Sequence, residues 1–452
     1  MTRRDFAIRN AALFTVNEQD EVIPSGTIHV RDGRIVELGP TEAVALPDGC
    51  EVIDASDGFA VIPGLVDAHS HSSLMRGVTE NMPLMEWLPW YQLEHRLLTS
   101  EFAFHSARLC YLEALQSGTT CVMDMYRFMD RCAEAAAELG IRVNLAPYVA
   151  DRPGKDFFAT REENRQLIRT HHGAQSGRVQ VWMGLEHLFY CSEAAYREAV
   201  TLSKDYGVGI HTHASEQFEE EAAITAQFGQ RSLAMLDHYG VLGPRTLLAH
   251  CVWLNTEEIA RVAETGTAIA HCPISNAKLA SGIAPLGDWL EAGVTVGLGT
   301  DGPVCNNSLS LWEEMKFASL IQKATRLDAT AMPASQMLRL ATLGGARALG
   351  LADEIGSLTV GKKADLVMLD LNAPNLTPVS IDSQGGSLLW NLVYAASAAN
   401  VHSVWVDGER RLEQGQPTGT PAQTIIDSAQ QQGRTLQRLC QHNAHLRQGM
   451  QS

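Results

Sequence analysis

The sequence predicts an α/β protein, a (β/α)8 TIM barrel carrying a small β-sandwich domain formed by the N- and C-terminal segments. Three observations predict it. Short apolar strands alternate with helical stretches through the middle of the chain, the rhythm of parallel β/α architecture. Strand patterns punctuated by turns, without helices between them, stand at both ends. Imidazole and carboxylate groups recur at the ends of the central strands, where a barrel builds its sites.

The first 58 residues read as FAIRNAALFTV, GTIHVRDGRIVELG and CEVIDASDG, with Asp-Gly and Gly-Arg pairs where hairpin turns are expected. From Phe59 onward eight candidate strands follow: AVIPGLVDAH, TTCVMDMY, RVNLAPYV, RVQVWMGLE, GVGIHTHA, RTLLAHCV, GTAIAHCP and VTVGLGTDG. Between them lie segments such as SEFAFHSARLCYLEALQSG, whose apolar residues recur at three and four. Past Gly356 the strand pattern returns in GSLTVGKKADLVMLDL and VHSVWVDGERRL, and the chain ends on a polar, helix-like stretch. The expected division is therefore residues 1–58 with 355–420 as one β domain, 59–354 as the barrel, and 421–452 as a helical tail.

The composition narrows the partners. With 35 Lys and Arg against 52 Asp and Glu, the net charge is −17 and no long basic cluster occurs, so neither nucleic acid nor an anionic membrane is expected to bind. The N-terminal stretch MTRRDFAIRNAALFTVNEQD lacks the roughly 7–15-residue apolar core of a signal peptide. The nine cysteines are odd in number and scattered, with no CxxC. That pattern fits reduced thiols and a cytoplasmic protein rather than a disulfide frame.

His69 and His71 stand at i and i+2 at the end of the first barrel strand, so alternation turns both imidazoles to one face. Alone, HxH is a weak signal. Its weight comes from recurrence: strand five ends in His211-Thr212-His213, strand six in His250, and strand eight in Gly299-Thr300-Asp301-Gly302. Such groups at four strand ends on one rim point to a metal centre rather than packing. Neutral imidazoles with a carboxylate suit zinc or iron(II), and a bound divalent ion lowers the pKa of water toward about 7. Proton transfer still needs a base and an acid. Asp301 is placed for the first and Glu216 for the second, while His250 can orient the water or polarise a substrate. Gly297 to Gly302 formally satisfies GxGxxG, yet it opens no early βαβ unit, so a dinucleotide site is not expected.

The segments PGLVDAHSH, HTHASE, LLAHCVWL and GLGTDGPVCNNS resemble the amidohydrolase superfamily, in particular its deaminase and triazine-hydrolase branch. The resemblance spans nearly the whole chain. It implies that His69, His71, His213 and Asp301 hold the metal, that Glu216 shuttles protons, and that His250 contacts the metal-bound water. Two-metal relatives bridge their ions with a lysine at the end of strand four; Val179 to Phe189 contains none. One divalent ion per chain follows, zinc with iron(II) as the alternative, and a homodimer is what the resemblance implies.

For substrate, RGVTENMPLMEWL, ISNAKLASGIAPL and CNNSLSLWEEM are similar to the deaminases acting on methylthioadenosine and S-adenosylhomocysteine. Glu94 in LEHRL matches that group's ribose-binding glutamate, the alternative being a helix-surface side chain. Two departures leave the substrate open. Where the group carries Gly-Pro-His, this chain reads Gly184-Leu185-Glu186-His187, so Glu186, or His187 by a one-residue shift, faces the heterocycle. Of the group's homocysteine-binding arginines, Pro147 occupies one place, and Arg161 either fills the other or is a solvated helix charge. Trp87, Trp90 and Tyr91 fall on an expected loop over the mouth, Trp87 as a stacking candidate. The reading is an aminohydrolase releasing ammonia from a purine nucleoside, pyrimidine, pterin or triazine. Its alternatives are a hydrolase of the same site expelling chloride, an alkylamine or the amine of an amide or urea, and a non-catalytic binding barrel.

Overall fold

The computed structural model describes residues 5–449, so the outermost ends of the expected β domain and helical tail lie outside the described residues. Nine strands from both ends of the chain form one sheet. The N-terminal half supplies Phe6–Phe14, Val22–Arg31, Arg34–Pro40, Glu51–Asp54 and Phe59–Pro63. The C-terminal half supplies Leu366–Asp370, Val401–Val406, Glu409–Glu413 and Gln416–Pro417. Two Asp-Gly turns shape it: Asp32 and Gly33 have φ of 53° and 79°, Asp407 and Gly408 52° and 73°, the left-handed pairs that tight hairpins require. Phe6, Ile8, Val30, Ile35, Leu366 and Trp405 are buried together in a core of their own.

One boundary differs from the sequence reading. The apolar run AVIPGLVDAH is not a single barrel strand; it divides at Gly64. Phe59–Pro63 pairs antiparallel with Leu366–Asp370 and parallel with Phe6–Phe14 in the terminal sheet, and only Leu65–Ser70 enters the barrel. A Cβ on Gly64 would sit 2.1 Å from Thr120 Oγ1, so the chain crosses there only as glycine.

The barrel strands are Leu65–Ser70, Thr119–Tyr126, Arg142–Pro147, the split pair Val179–Val181 and Met183–Leu185, then Ile210–Ala214, Thr246–His250, Ala268–His271 and Thr295–Leu298. Nearly every residue in them is buried, which is why they read as apolar runs rather than alternations. Strand four breaks at Trp182, whose N–H donates to Leu145 on strand three while Met183 donates to Gly209 before strand five. The ring closes where Asp301 N donates to His69 O at 2.9 Å. The expected loop over the mouth is instead a helix, Leu84–Leu97, with Pro89 inside it. The C-terminal helix Ala422–His442 packs on this helix and on Ser100–Gln116.

A buried ion network joins the barrel floor to the terminal sheet. Arg142, first residue of strand three, donates to both oxygens of Asp365 at 3.0 Å and to Asp407 at 2.8 Å. Lys363 and Arg178 complete the charge around Asp407 at 3.4 and 3.3 Å. Removing one partner strands buried charge, which costs about 3–5 kcal/mol. Arg142→Ala is therefore expected to lower unfolding free energy by about that amount in chemical denaturation; an unchanged midpoint would contradict the clamp.

Candidate active site

Five of the six groups singled out at strand ends meet at one point. Asp301 Oδ1 lies 3.0 Å from His71 Nε2 and 3.4 Å from His69 Nε2. His213 Nε2 is 3.3 Å from His71 Nε2, and His250 shares a tight donor group with His69 and His213. All are buried. The strand ends achieve this by unusual backbone: His250 and Asp301 have φ of 70° and 57°, a conformation that costs of order 1–3 kcal/mol and persists only where surroundings enforce it.

The partners on the far side of each ring decide what the near side offers. His71 Nδ1 donates to Met125 O at 2.6 Å, and His213 Nδ1 to Glu186 O at 2.8 Å. His211 Nδ1 donates to Leu247 O at 2.9 Å, which leaves its Nε2 to accept from His69 Nδ1 at 2.7 Å. Each of the three rings thus presents an Nε2 lone pair to the centre, as metal-ligating histidines do. Ser275 Oγ donates to Asp301 Oδ2 at 2.6 Å, turning Oδ1 inward. His69 Nε2 and Asp301 Oδ1 have no hydrogen-bond partner. Burial pushes the Asp301 carboxyl up, but His69 and His71 hold it well below the usual carboxylate range. A set of lone pairs and one carboxylate oxygen, converging in a buried pocket, fits a divalent cation.

Behind this set, Asp67 accepts from Thr300 N and Oγ1 at 3.0 and 2.6 Å and from His69 N at 3.2 Å. It ties strand one to strand eight, and burial pushes its carboxyl up to about 7. Sequence reading missed this group and Ser275, whose role appears only once separate strands are neighbours.

Glu216 sits beyond strand five, its Oε2 3.8 Å from both His187 Nε2 and His250 Nε2. Ser281 Oγ donates to its Oε1 at 3.4 Å. Glu186 Oε2 is 2.8 Å from His187 Nδ1, and the His187 ring stacks on His213 with centroids 4.4 Å apart. Burial opposes charge on His187, yet Glu186 beside it raises its pKa well above the ordinary value. Glu186, His187, Glu216 and His250, with Trp87, Tyr91 and Tyr148, line a narrow cavity over the donor set.

Two expected substrate contacts do not reach that lining. Arg161 lies on helix Arg161–His171, paired with Glu198, partly exposed; it is a surface ion pair. Glu94 is buried behind the cavity, where its Oε1 accepts from Ser73 at 2.8 Å and Tyr126 at 2.7 Å; the surface-glutamate alternative is excluded. Trp87 lines the cavity from its helix, its Nε1 donating to Thr79 and its ring stacked on Tyr91 at 4.7 Å. The thiols of Cys191, Cys251, Cys272 and Cys305 are raised well above normal by burial, so none stands ready as a nucleophile. A larger depression around Arg231 and Arg261 carries none of this chemistry, its arginines being paired with Glu258 and Asp237.

Barrel and donor set together define a metal-dependent hydrolase. Residues 60–411 match the Amidohydrolase family, and the chain belongs to it. It is 39% identical over 437 residues to a 5-methylthioadenosine/S-adenosylhomocysteine deaminase of Desulforudis audaxviator, covering 95% of this chain and 98% of that protein. It is 36% identical over 440 residues to a 5′-deoxyadenosine deaminase of Methanosarcina mazei, covering 96% and 98%. Among solved structures, a zinc-bound adenosine deaminase from Xanthomonas campestris superposes with a TM-score of 0.89 at 32% identity, over 97% of this chain and 99% of that one. No helix among the described residues is long and apolar enough to cross a membrane.

Proposed function

We propose that this protein deaminates adenosine-type nucleosides, exchanging the exocyclic amino group for oxygen and releasing ammonia. The observation that carries the reading is Glu216, poised at 3.8 Å from both His187 and His250 beside a converged His/His/His/Asp donor set. The named activities of the relatives agree with it. His69, His71, His213 and Asp301 would hold one divalent ion, zinc with iron(II) as the alternative. Bound there, the ion supplies a Lewis acid that lowers the pKa of water to near 7.

The side chains do the remaining work. Asp301 takes the proton from the attacking water, and Glu216 delivers one to the ring nitrogen. Water thereby adds across the ring C=N bond; Asp301 then passes its proton to the amino nitrogen, the remaining hydroxyl proton returns to Glu216, and the carbon–amine bond breaks with ammonia leaving as the carbonyl forms. His250 orients the water through Nε2. Glu186 and His187 act as a pair: the carboxylate holds the imidazole protonated, so that the imidazolium, not the carboxylate, meets the acceptor edge of the purine. Trp87 stacks on the base.

We further assign the terminal strands to a β-sandwich around its own core, with the barrel from Leu65 to residue 354 and the tail from 421, and infer a cytoplasmic homodimer. The reading is tested by ammonia release from 5′-deoxyadenosine, methylthioadenosine, S-adenosylhomocysteine, guanine, cytosine, a pterin and an aminotriazine, with chloride and alkylamine release assayed in parallel. Turnover of the adenosine nucleosides above all others is the expected result; chloride or alkylamine release as the main activity would overturn it.

Glu94 also gives a pH signature. Burial pushes its carboxyl up from the ordinary 4.5 to about 7. The folded state then holds a proton that the unfolded state has already lost, so its contribution to stability declines as pH rises through that window and is flat above it. Glu94→Gln, neutral throughout, is expected to gain melting temperature relative to the native protein at about pH 8 compared with about pH 5. Equal differences at both values would contradict a buried, proton-binding Glu94.

A further inference from the structure

His250 is held from behind. Its Nδ1–H donates to Asn276 Oδ1 at 2.9 Å, across from helix Pro273–Lys278, and this bond constrains a residue whose φ of 70° is disfavoured. Asn276 is 1% exposed and His271, which ends strand seven, 2%. Asn276 Nδ2 and both ring nitrogens of His271 have no hydrogen-bond partner. Both side chains line a second, small cavity of about 10 Å³ that shares no lining residue with the candidate substrate pocket. Gln322 adds a polar group to its wall, with Ile283, Phe317 and Ala284 apolar around it. The cost of leaving three buried polar atoms unpaired is high, and a polar cavity with room for about one water is where such groups are satisfied.

We propose that Asn276 is the positioning residue for His250 and that His271 steadies the Asn276 amide across this cavity through a bound water. With Nδ1–H committed to Asn276, His250 presents an Nε2 lone pair to the active site; without that acceptor the ring is free to rotate or change tautomer. Neither residue touches the metal ligands' inward atoms, so their effect falls on turnover rather than on metal retention. The inference rests on the deaminase reading.

The experiment measures kcat, KM, metal per chain and melting temperature for Asn276→Leu, Asn276→Asp, His271→Leu and the Asn276→Leu/His271→Leu double variant on 5′-deoxyadenosine. Asn276→Leu, close in size but without an acceptor, is expected to lower kcat roughly 10- to 100-fold, with KM, metal content and melting temperature near native. Asn276→Asp keeps the acceptor and is expected to restore most of kcat. His271→Leu lowers kcat in the same direction, and the double variant is less than additive, as residues of one network are. Native kcat in Asn276→Leu, or equal impairment of the Asp and Leu variants, overturns the positioning role, as does a loss that tracks metal content. Strict additivity overturns the coupling to His271. Absence of ammonia release by the native enzyme on any substrate would instead sink the deaminase reading.

Discussion

Glu216→Gln is expected to lower kcat for ammonia release by roughly 10³-fold, within the 10²- to 10⁴-fold range for a positioned proton-transfer group, at unchanged metal content. Glutamine has the same length and still offers an oxygen to Ser281 Oγ, which now lies 3.4 Å from Glu216 Oε1. What it loses is the ability to deliver a proton to the ring nitrogen. Because Glu216 is not among the four convergent donors, a metal assay separates the two effects: full metal with lost turnover identifies a proton carrier. If turnover survived, the acid would have to be another group on this wall, and His187, 3.8 Å away, would be the next to test.

The second large effect is loss of the ion itself. Asp301→Ala removes the carboxylate whose Oδ1 stands 3.0 and 3.4 Å from two imidazoles, leaving three neutral rings in a buried pocket. Metal content is expected to fall to about a tenth of native or less, and ammonia release to background, since ligand binding and metal retention are one equilibrium. The melting temperature should fall too, because an ion bound only by the folded state stabilises it by mass action. Stripping the native protein with a chelator should give the same two losses, and adding zinc or iron(II) should reverse them only in the native protein. Native metal content in Asp301→Ala would show that the ion sits elsewhere.

The convergence of His69, His71, His213, His250 and Asp301 was legible in the sequence because each stands at the end of a barrel strand, and the ends of strands one, five, six and eight point to one rim whatever the helices between do. Glu216, three residues past His213, was legible by resemblance. What supports these groups was not. Asp67 meets Thr300 and Ser275 meets Asp301 across 233 and 26 residues of chain, and each is an ordinary polar residue until its partner's strand lies beside it. The apolar run through Gly64 could not reveal its own division, since a continuous apolar strand carries no period to interrupt. The helix Leu84–Leu97 was hidden for the opposite reason: Pro83 before it and Pro89 inside it signal a break, and packing over the mouth overrides them. Arg161 looked like a substrate contact only by alignment to a motif; its neighbours Glu198 and Asp151 explain it fully.

The most direct test of the central claim is the yield of ammonia from 5′-deoxyadenosine by one preparation assayed three ways: as purified, after chelation, and after chelation with one equivalent of zinc restored. The account predicts one ammonia per nucleoside consumed, loss of that activity on chelation, and its return with a single ion per chain. Ammonia release that persists in metal-free protein, or a metal-replete enzyme that consumes none of the adenosine nucleosides, would contradict it.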